Sequence, residues 1–184
     1  MIAVVPIGGV KGELVKAVAD FVKGYYSRFG MGVKILPEIP LEPFSSAFNL
    51  LRGQYLGRAF LPTLFRLGER TGARAVLGIT EADLYEEGLN FIFGLANPSL
   101  KAAVVSVHRL RPEFYGGRPD DGLLKERAVK EAMHELGHLF GLGHCPNPRC
   151  VMHFSNSILD TDFKGPLYCR ACEGKLSKAL GVLK

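Results

Sequence analysis

Apolar side chains along the first two-thirds of the chain switch between the alternating period of a strand and the longer period of a helix. Four short apolar runs predict strands at residues 2–6, 33–36, 75–79 and 102–107, and the last two are predicted to be buried. Helical spacing predicts two helices, at residues 12–29 and 62–70, closed by Gly30 and Gly72. This order of elements predicts an α/β fold with a twisted, mostly parallel sheet.

Two segments of this region follow the pattern less closely. Residues 89–95 alternate only loosely, and their place between two buried strands predicts an antiparallel edge strand. Pro40 and Pro43 interrupt the chain between the second strand and the second helix. We therefore expect residues 38–53 to be irregular.

The last third of the chain is organised differently. Residues 116–122 are rich in glycine and predict a surface loop, in which Asp120 or Asp121 is available to cap the next helix. After Phe140 no strong strand pattern remains, so we expect something other than a large apolar core to hold the tail. Residues 173–183 predict one short final helix.

Composition narrows the possible functions. With 184 residues, of which 47% are hydrophobic and 22% charged, the chain can form one domain with a real core. The 23 lysines and arginines behind the net charge of +5 are scattered, which disfavours a nucleic-acid partner. No apolar run approaches the ~18 residues of a membrane span, and no basic segment precedes the first strand. We expect a cytoplasmic protein without a membrane partner.

The segment from His134 to His144 carries the strongest chemical signal. Residues four apart on a helix share one face, so His134 and His138 can bind one metal ion. Glu135 is rotated by about 100° from His134 and stands beside that metal. This is the expected place of a general base that acts on water at the metal.

A turn is needed to bring His144 to the same metal. On a continued helix this side chain would point away, but Gly141 can end the helix in a left-handed conformation. Gly143 adds further freedom. Three imidazoles that leave one position open form a catalytic zinc site.

Two stripes on the same helix agree with this interpretation. An apolar stripe predicts the face that packs, and it contains Val129, Met133, Leu136 and Phe140. A polar stripe roughly opposite predicts the face that carries the chemistry, and it contains Arg127, Glu131, His134 and His138.

Four cysteines form a second cluster near the C-terminus. Cys145 and Cys150 make one closely spaced pair, and Cys169 and Cys172 make another. Two such pairs predict a closed, structural zinc site of four thiolates, with two disulfides or free thiols as alternatives. Because Cys145 follows His144 directly, we expect the cysteine site to position that histidine.

These motifs resemble a known family of enzymes. The histidine motif followed by Met152 resembles the metzincin metallopeptidases, which place a methionine-containing turn beneath the catalytic zinc. The cysteines are similar to those of the archaemetzincin branch: one follows the third histidine, one precedes Met152 by two residues, and a Cys-Arg-Ala-Cys segment follows at 169–172.

The resemblance implies a single metallopeptidase domain with two zinc ions, one catalytic on the three histidines and one structural on the four cysteines. It implies Glu135 as the general base, Met152 as the turn methionine, an upper subdomain over residues 1–141 and a smaller lower subdomain over residues 142–184. It also implies an edge strand that lines the cleft and pairs with an extended peptide. We assign this role to Leu89, Asn90, Phe91, Ile92, Phe93, Gly94 and Leu95.

Phe154 departs from the pattern of some metzincins, which carry a zinc-binding tyrosine at this position. Without that hydroxyl, the transition state needs another hydrogen-bond donor besides the metal. Tyr115, Tyr168 and His153 remain open as candidates for this donor.

The predicted function is zinc-dependent hydrolysis of peptide bonds in peptides or unfolded polypeptides, because we expect a narrow cleft. Two alternatives remain open. A zinc-stabilised module could bind protein or nucleic acid without turnover, although Glu135 would then have no use. A zinc hydrolase could instead act on non-peptide amides, because the same chemistry serves any polarised carbonyl.

Overall fold

Five strands form the main sheet of the computed structural model, which describes residues 1–182. Their spatial order is β2 (Val33–Ile35), β1 (Ile2–Ile7), β5 (Ala75–Thr80), β8 (Ala102–Ser106) and β7 (Gly94–Asn97). All neighbours are parallel except β7, which pairs antiparallel with β8 at the edge of the sheet. The predicted α/β class, with a mostly parallel sheet and an antiparallel edge strand, is confirmed.

Helices cover both faces of this sheet. The first face packs against α1 (Gly12–Tyr26) and α3 (Asp121–Leu139), and the second against α2 (Leu61–Thr71). Because successive strand residues point to opposite faces, Ile2 belongs to the first core and Ala3 to the second. Within residues 1–182, no helix is both long and apolar enough to cross a membrane.

The helix ends follow their predicted signals closely. A short 3₁₀ turn, Ser27–Phe29, continues α1 as far as Gly30, and α2 ends at Gly72. Both glycines have the left-handed conformation, with φ of +70° and +67°. Asp120 rather than Asp121 caps α3, because its side chain accepts a hydrogen bond of 2.9 Å from the Leu123 amide.

The final helix, α5, begins three residues earlier than predicted. It spans Arg170–Ala179 instead of residues 173–183, and residue 183 lies outside the described residues. A shorter helix that the sequence did not predict, α4 (Ile158–Phe163), precedes it. A capping box of Ser157 and Asp160 starts α4, and only one turn follows, which is too short for an apolar period to develop.

The region predicted to be irregular contains short regular elements. A 3₁₀ helix, Glu42–Ala47, leads into β3 (Phe48–Asn49). With β4 (Gln54–Leu56) and β6 (Leu84–Tyr85), β3 forms a small second sheet. Unlike the predicted strand at residues 33–36, these strands of two or three residues contain no β-branched side chain, so the sequence pattern could not reveal them.

The predicted edge strand is displaced along the chain. Regular pairing covers Gly94–Asn97 rather than residues 89–95. Before it, the carbonyl of Asn90 accepts hydrogen bonds from the side chains of Arg52 and Gln54, at 3.0 Å each. Ile92 forms an isolated antiparallel bridge with Leu84 of β6, so this part of the segment pairs with the small second sheet rather than with β8.

The expectation that the tail lacks a large apolar core is wrong. Leu142, Val151, Met152, Ile158 and Leu176 are all buried in the core shared by α1 and α3. Several of these side chains come from turns and short segments rather than from one long element. Their spacing therefore shows neither the strand period nor the helix period.

The polar stripe of α3 lies inside the protein. The side chains of Arg127 and Glu131 are only 7% and 4% exposed, because α4 and the residues after it cover them. Asp162 accepts two hydrogen bonds of 2.7 Å from the Arg127 guanidinium. The helix that carries the histidines is thus held on its polar side as well as on its apolar side.

Candidate active site

Three histidines converge at the C-terminal end of α3. The ring centroids of His134 and His138 are 4.6 Å apart. The ring centroid of His144 lies 5.4 Å from that of His134 and 4.9 Å from that of His138. One ring nitrogen from each histidine falls within 4.8 Å of the others. The structure therefore brings together all three predicted metal ligands.

A tight turn returns His144 to the helix. Gly141 has a φ of +88°, a left-handed conformation that favours glycine, and it lies just beyond the end of α3. The Leu142 amide donates a 2.9 Å hydrogen bond back to the Gly137 carbonyl. The predicted turn at Gly141 is therefore present.

Hydrogen bonds fix which ring nitrogens are free to bind a metal. Nδ1 of His134 lies 2.7 Å from the Val151 carbonyl, and Nδ1 of His138 lies 2.8 Å from the Leu142 carbonyl. A carbonyl only accepts, so both Nδ1 atoms donate. Burial lowers the pKa of both imidazoles, which keeps the rings neutral.

The two Nε2 atoms then carry lone pairs, although they lie only 3.0 Å apart. Two neutral rings whose Nδ1 atoms donate cannot form a hydrogen bond between their Nε2 atoms. A shared cation explains this convergence, and three imidazoles suit zinc. The donor set therefore fits a zinc ion.

Glu135 lies beside this cluster and is buried against the edge strand. A Cβ atom built on Gly94 would come 2.6 Å from the Glu135 Oε1 atom, so the carboxylate packs directly on the glycine backbone. Burial, with a smaller contribution from the nearby Glu131 carboxylate, raises the pKa of Glu135 to about 8. A cation on the histidines would favour the carboxylate form. Glu135 is thus suited to exchange a proton near neutral pH.

A cleft of about 690 Å³ opens onto the histidines and Glu135. All seven residues of the segment 89–95 line it, and the opposite side is formed by residues 141–144 and 154–156. Most of the lining side chains of segment 89–95 are apolar. The segment predicted to bind substrate therefore faces the candidate metal site, although only its last two residues belong to β7.

Met152 packs directly beneath α3. A Cβ atom on Gly137 would collide with the Met152 sulfur, so the absence of a side chain at Gly137 makes room for the methionine. Gly137 stands between His134 and His138 in the sequence. The predicted turn methionine thus supports the helix from the side of the core.

The four cysteines converge at a second place. One sulfur from each lies within 4.8 Å of the others, and the sulfurs of Cys145 and Cys169 are 3.8 Å apart. A disulfide requires about 2.05 Å, whereas sulfurs bound to one zinc at about 2.3 Å stand about 3.8 Å apart. Hydrogen bonding by the Cys172 amide lowers the pKa of the Cys169 thiol to about 7. The arrangement fits a thiolate zinc site.

None of the three candidate hydrogen-bond donors lines the cleft. The Tyr168 hydroxyl donates to the Met133 carbonyl at 2.6 Å, and the Tyr115 hydroxyl donates to the Arg109 carbonyl at 2.7 Å. Nδ1 of His153 lies 2.9 Å from the Cys145 carbonyl. All three polar groups are engaged with the backbone outside the lining of the cleft.

Three polar residues that line the cleft, Glu86, Ser155 and Asn156, were not predicted from the sequence. Ser155 and Asn156 follow Phe154, whose ring centroid lies 5.0 Å from that of His144. The Ser155 hydroxyl is buried and has no hydrogen-bond partner within residues 1–182. Their position directly after Phe154, a residue that the sequence analysis had already singled out, was the one indication that Ser155 and Asn156 lie near the site.

Comparisons with known proteins agree over nearly the whole chain. The sequence profile described as peptidase family M54 matches residues 1–178. The archaemetzincin of Pyrococcus furiosus is 56% identical over 181 residues, which cover 98% of this chain and 94% of the relative. The archaemetzincin of Thermococcus kodakarensis is 58% identical over 183 residues, which cover 100% of this chain and 98% of the relative.

Solved structures show the same likeness. The crystal structure of archaemetzincin from Methanopyrus kandleri has a TM-score of 0.83 at 40% identity, covering 98% of this chain and 95% of its own. A zinc-dependent peptidase from Methanocorpusculum labreanum has a TM-score of 0.81 at 32% identity, covering 96% and 100%. The likeness therefore includes the strands, the histidine helix and the cysteine-rich tail together.

Proposed function

The chain belongs to peptidase family M54, and on this premise we propose that it cleaves peptide bonds at the histidine site with Glu135 as the general base. The family confirms the resemblance to the archaemetzincins and makes the protein a metallopeptidase. We further propose two zinc ions per chain, one on His134, His138 and His144 and one on the four cysteines. A cytoplasmic location stays a prediction from the sequence.

One observation carries this proposal: the Nε2 lone pairs of His134 and His138 converge beside Glu135 at the floor of an open cleft. A zinc ion held there would supply Lewis acidity, which lowers the pKa of water and polarises a carbonyl. Glu135 takes a proton from the attacking water and later donates it to the leaving nitrogen. The buried position of its carboxylate keeps this proton away from bulk solvent.

The substrate is an extended polypeptide segment. Strand β7 lies at the edge of the main sheet, and its residues Gly94 and Leu95 line the cleft. An unpaired strand edge offers backbone hydrogen bonds to a peptide laid beside it. Residues 141–144 and 154–156 on the opposite side limit the width of the cleft, which favours peptides and unfolded chains.

The cleft also supports a division into two subdomains. We propose that residues 1–141 form the upper subdomain, which contributes the helix and the edge strand. Residues 142–184 form the lower subdomain, which contributes His144 and the cysteine site. The turn at Gly141 joins the two.

A library of quenched-fluorescent peptides tests the proposed function. We expect the zinc-loaded protein, with two zinc ions per chain, to cleave a subset of the library, and unfolded proteins faster than the same proteins folded. Absence of cleavage with both metals present would favour a binding module or a hydrolase of non-peptide amides. A single bound zinc would contradict the proposed cysteine site.

Alanine in place of Gly94 is expected to lower kcat/KM by about a hundredfold, because the new methyl group would displace the Glu135 carboxylate. Zinc content should not change, since the three atoms nearest to that methyl group all belong to Glu135 rather than to a histidine. Gly24→Ala is the matched control, because a Cβ there meets no atom of the described residues within 4 Å. Equal activity in the two variants would show that the carboxylate does not depend on this contact.

A further inference from the structure

A fully buried ion pair lies next to the candidate metal site, and apart from its effect on the pKa of Glu135 it has no role in the proposed reaction. Lys164 has 0% side-chain exposure, and its Nζ atom lies 3.1 Å from the Oε1 atom of Glu131, which is 4% exposed. Thr161 donates a second hydrogen bond, of 3.0 Å, to the same oxygen. Lys164 also donates to the His153 carbonyl at 3.4 Å. The ammonium thus joins α3 to the segment that follows Met152.

Stability alone does not explain this arrangement. Removing two charges from water costs several kcal/mol per ion, and apolar residues of similar volume are often as stabilising as a buried ion pair. Both side chains are almost inaccessible to solvent, so each charge carries this cost. A buried pair in such a place has its best-attested use in fixing one arrangement of the segments that it joins.

One of the joined segments carries two of the histidines, and the other contacts the residue that follows the third. Glu131 stands three residues before His134 on α3. On the other side, Nδ1 of His153 lies 2.9 Å from the Cys145 carbonyl, and the Cys145 amide donates to the Met152 carbonyl at 3.0 Å. Cys145 follows His144 directly. A continuous set of contacts therefore runs from Glu131 through Lys164 and His153 to the backbone of Cys145, the residue after the third histidine.

Charge gives the pair a second consequence. Glu131 lines the same cleft as the three histidines, and the Lys164 ammonium lies 3.1 Å from its carboxylate. Without the carboxylate, a positive charge so near the cleft would repel a cation bound by the histidines. The Glu131 carboxylate cancels that charge.

We propose that Lys164 and Glu131 are positioning residues for the histidine site, which hold the His144 segment against α3 while adding no net charge beside the metal. Neither residue touches the reacting atoms. This inference rests on the proposed function only for its effect on turnover. Its effect on metal binding can be measured whether or not a peptide is cleaved.

Three variants separate charge from position: Glu131→Gln, Lys164→Met and the double variant. We expect Glu131→Gln to weaken zinc binding at the histidine site about tenfold, because the ammonium is left uncompensated. Lys164→Met should bind zinc more tightly than Glu131→Gln, and the double variant should lie between them. Chelator competition measures these affinities, and the histidine site is the one lost in His138→Ala.

The same variants test the positioning role in turnover. We expect kcat to fall at least tenfold in the double variant, with KM within twofold of the wild-type value. The two substitutions together remove the ionic contact between α3 and the His153 segment but leave no uncompensated charge. Lys164→Arg, which keeps a positive charge to pair with Glu131, should retain most of the activity. The exposed pair of Lys16 and Asp20 on α1 is the matched control, and Lys16→Met with Asp20→Asn should change neither quantity.

Two results would overturn the inference. Equal zinc affinities in the two single variants would show that the charges do not act on the site, and wild-type kcat in a folded double variant would show that the pair serves folding only. If the wild-type protein cleaves no peptide, the proposed function fails. The order of the zinc affinities then still decides the inference.

Discussion

Glutamine in place of Glu135 is expected to lower kcat/KM by about a thousandfold while both metal sites stay filled. The amide cannot take up a proton from water, so the loss falls on the chemical step rather than on substrate binding. Burial raises the pKa of Glu135 to about 8, so the side chain is neutral near pH 7 in the metal-free protein. Glutamine mimics that neutral form in shape and charge, and the variant should therefore fold normally.

The measurement combines kcat/KM on the best library peptide with the number of zinc ions per chain. Glu13→Gln, on the exposed side of α1, is the matched control and should have wild-type activity. A Glu135→Gln variant with activity within tenfold of wild type would rule out this residue as the general base. Loss of zinc would instead assign it a role in holding the metal.

Alanine in place of Cys150 is expected to remove one zinc ion and to lower both activity and thermal stability, although Cys150 does not line the cleft. Structural zinc sites contribute on the order of 10 kcal/mol to folding in small domains, so we expect the tail to loosen. Cys150 is buried, and its sulfur accepts a 3.3 Å hydrogen bond from the Cys169 amide. Because Cys145 of the same cluster follows His144, loosening the cluster should displace the third histidine.

Zinc content, melting temperature and kcat/KM measure this effect together. We expect one zinc per chain and a loss of activity of about a hundredfold, the upper range for residues that orient metal ligands. Ala171→Ser, an exposed change between Cys169 and Cys172, is the matched control. Unchanged activity with a single zinc would show that the cysteine site and the histidine site are independent.

The part of this site that could be predicted from the sequence depends on local spacing. His134 and His138 stand one helical turn apart, and Gly141 marks the place where the helix must end. Their geometry follows from the helix itself, so the structure brings these residues and His144 together as expected. The parallel sheet was predictable for a similar reason, because its buried strands are long enough to show their pattern.

The remaining features depend on contacts between distant segments. Nothing near Gly94 in the sequence indicates that the Glu135 carboxylate rests on its backbone, and Lys164 looks like an ordinary surface lysine. The polar stripe of α3 predicted chemistry on that face, but not its burial beneath α4. Such contacts appear only when the tail folds back over the helix, which no periodicity in either segment encodes.

The hydrogen bonds from His134 and His138 to backbone carbonyls determine how many protons are released when a metal ion binds to these rings. Both rings are neutral and already have the tautomer that a metal requires, so a cation that binds there displaces no proton from them. The cysteines differ, because any thiol that is protonated must lose its proton to become a ligand. Protons released by the cysteines are taken up by the buffer, so the measured enthalpy of zinc binding at the cysteine site includes the enthalpy of buffer protonation. The two histidines release no proton and add no such contribution. A fall in pH thus weakens metal binding at the two centres through different groups, the thiolates in one and the imidazoles in the other.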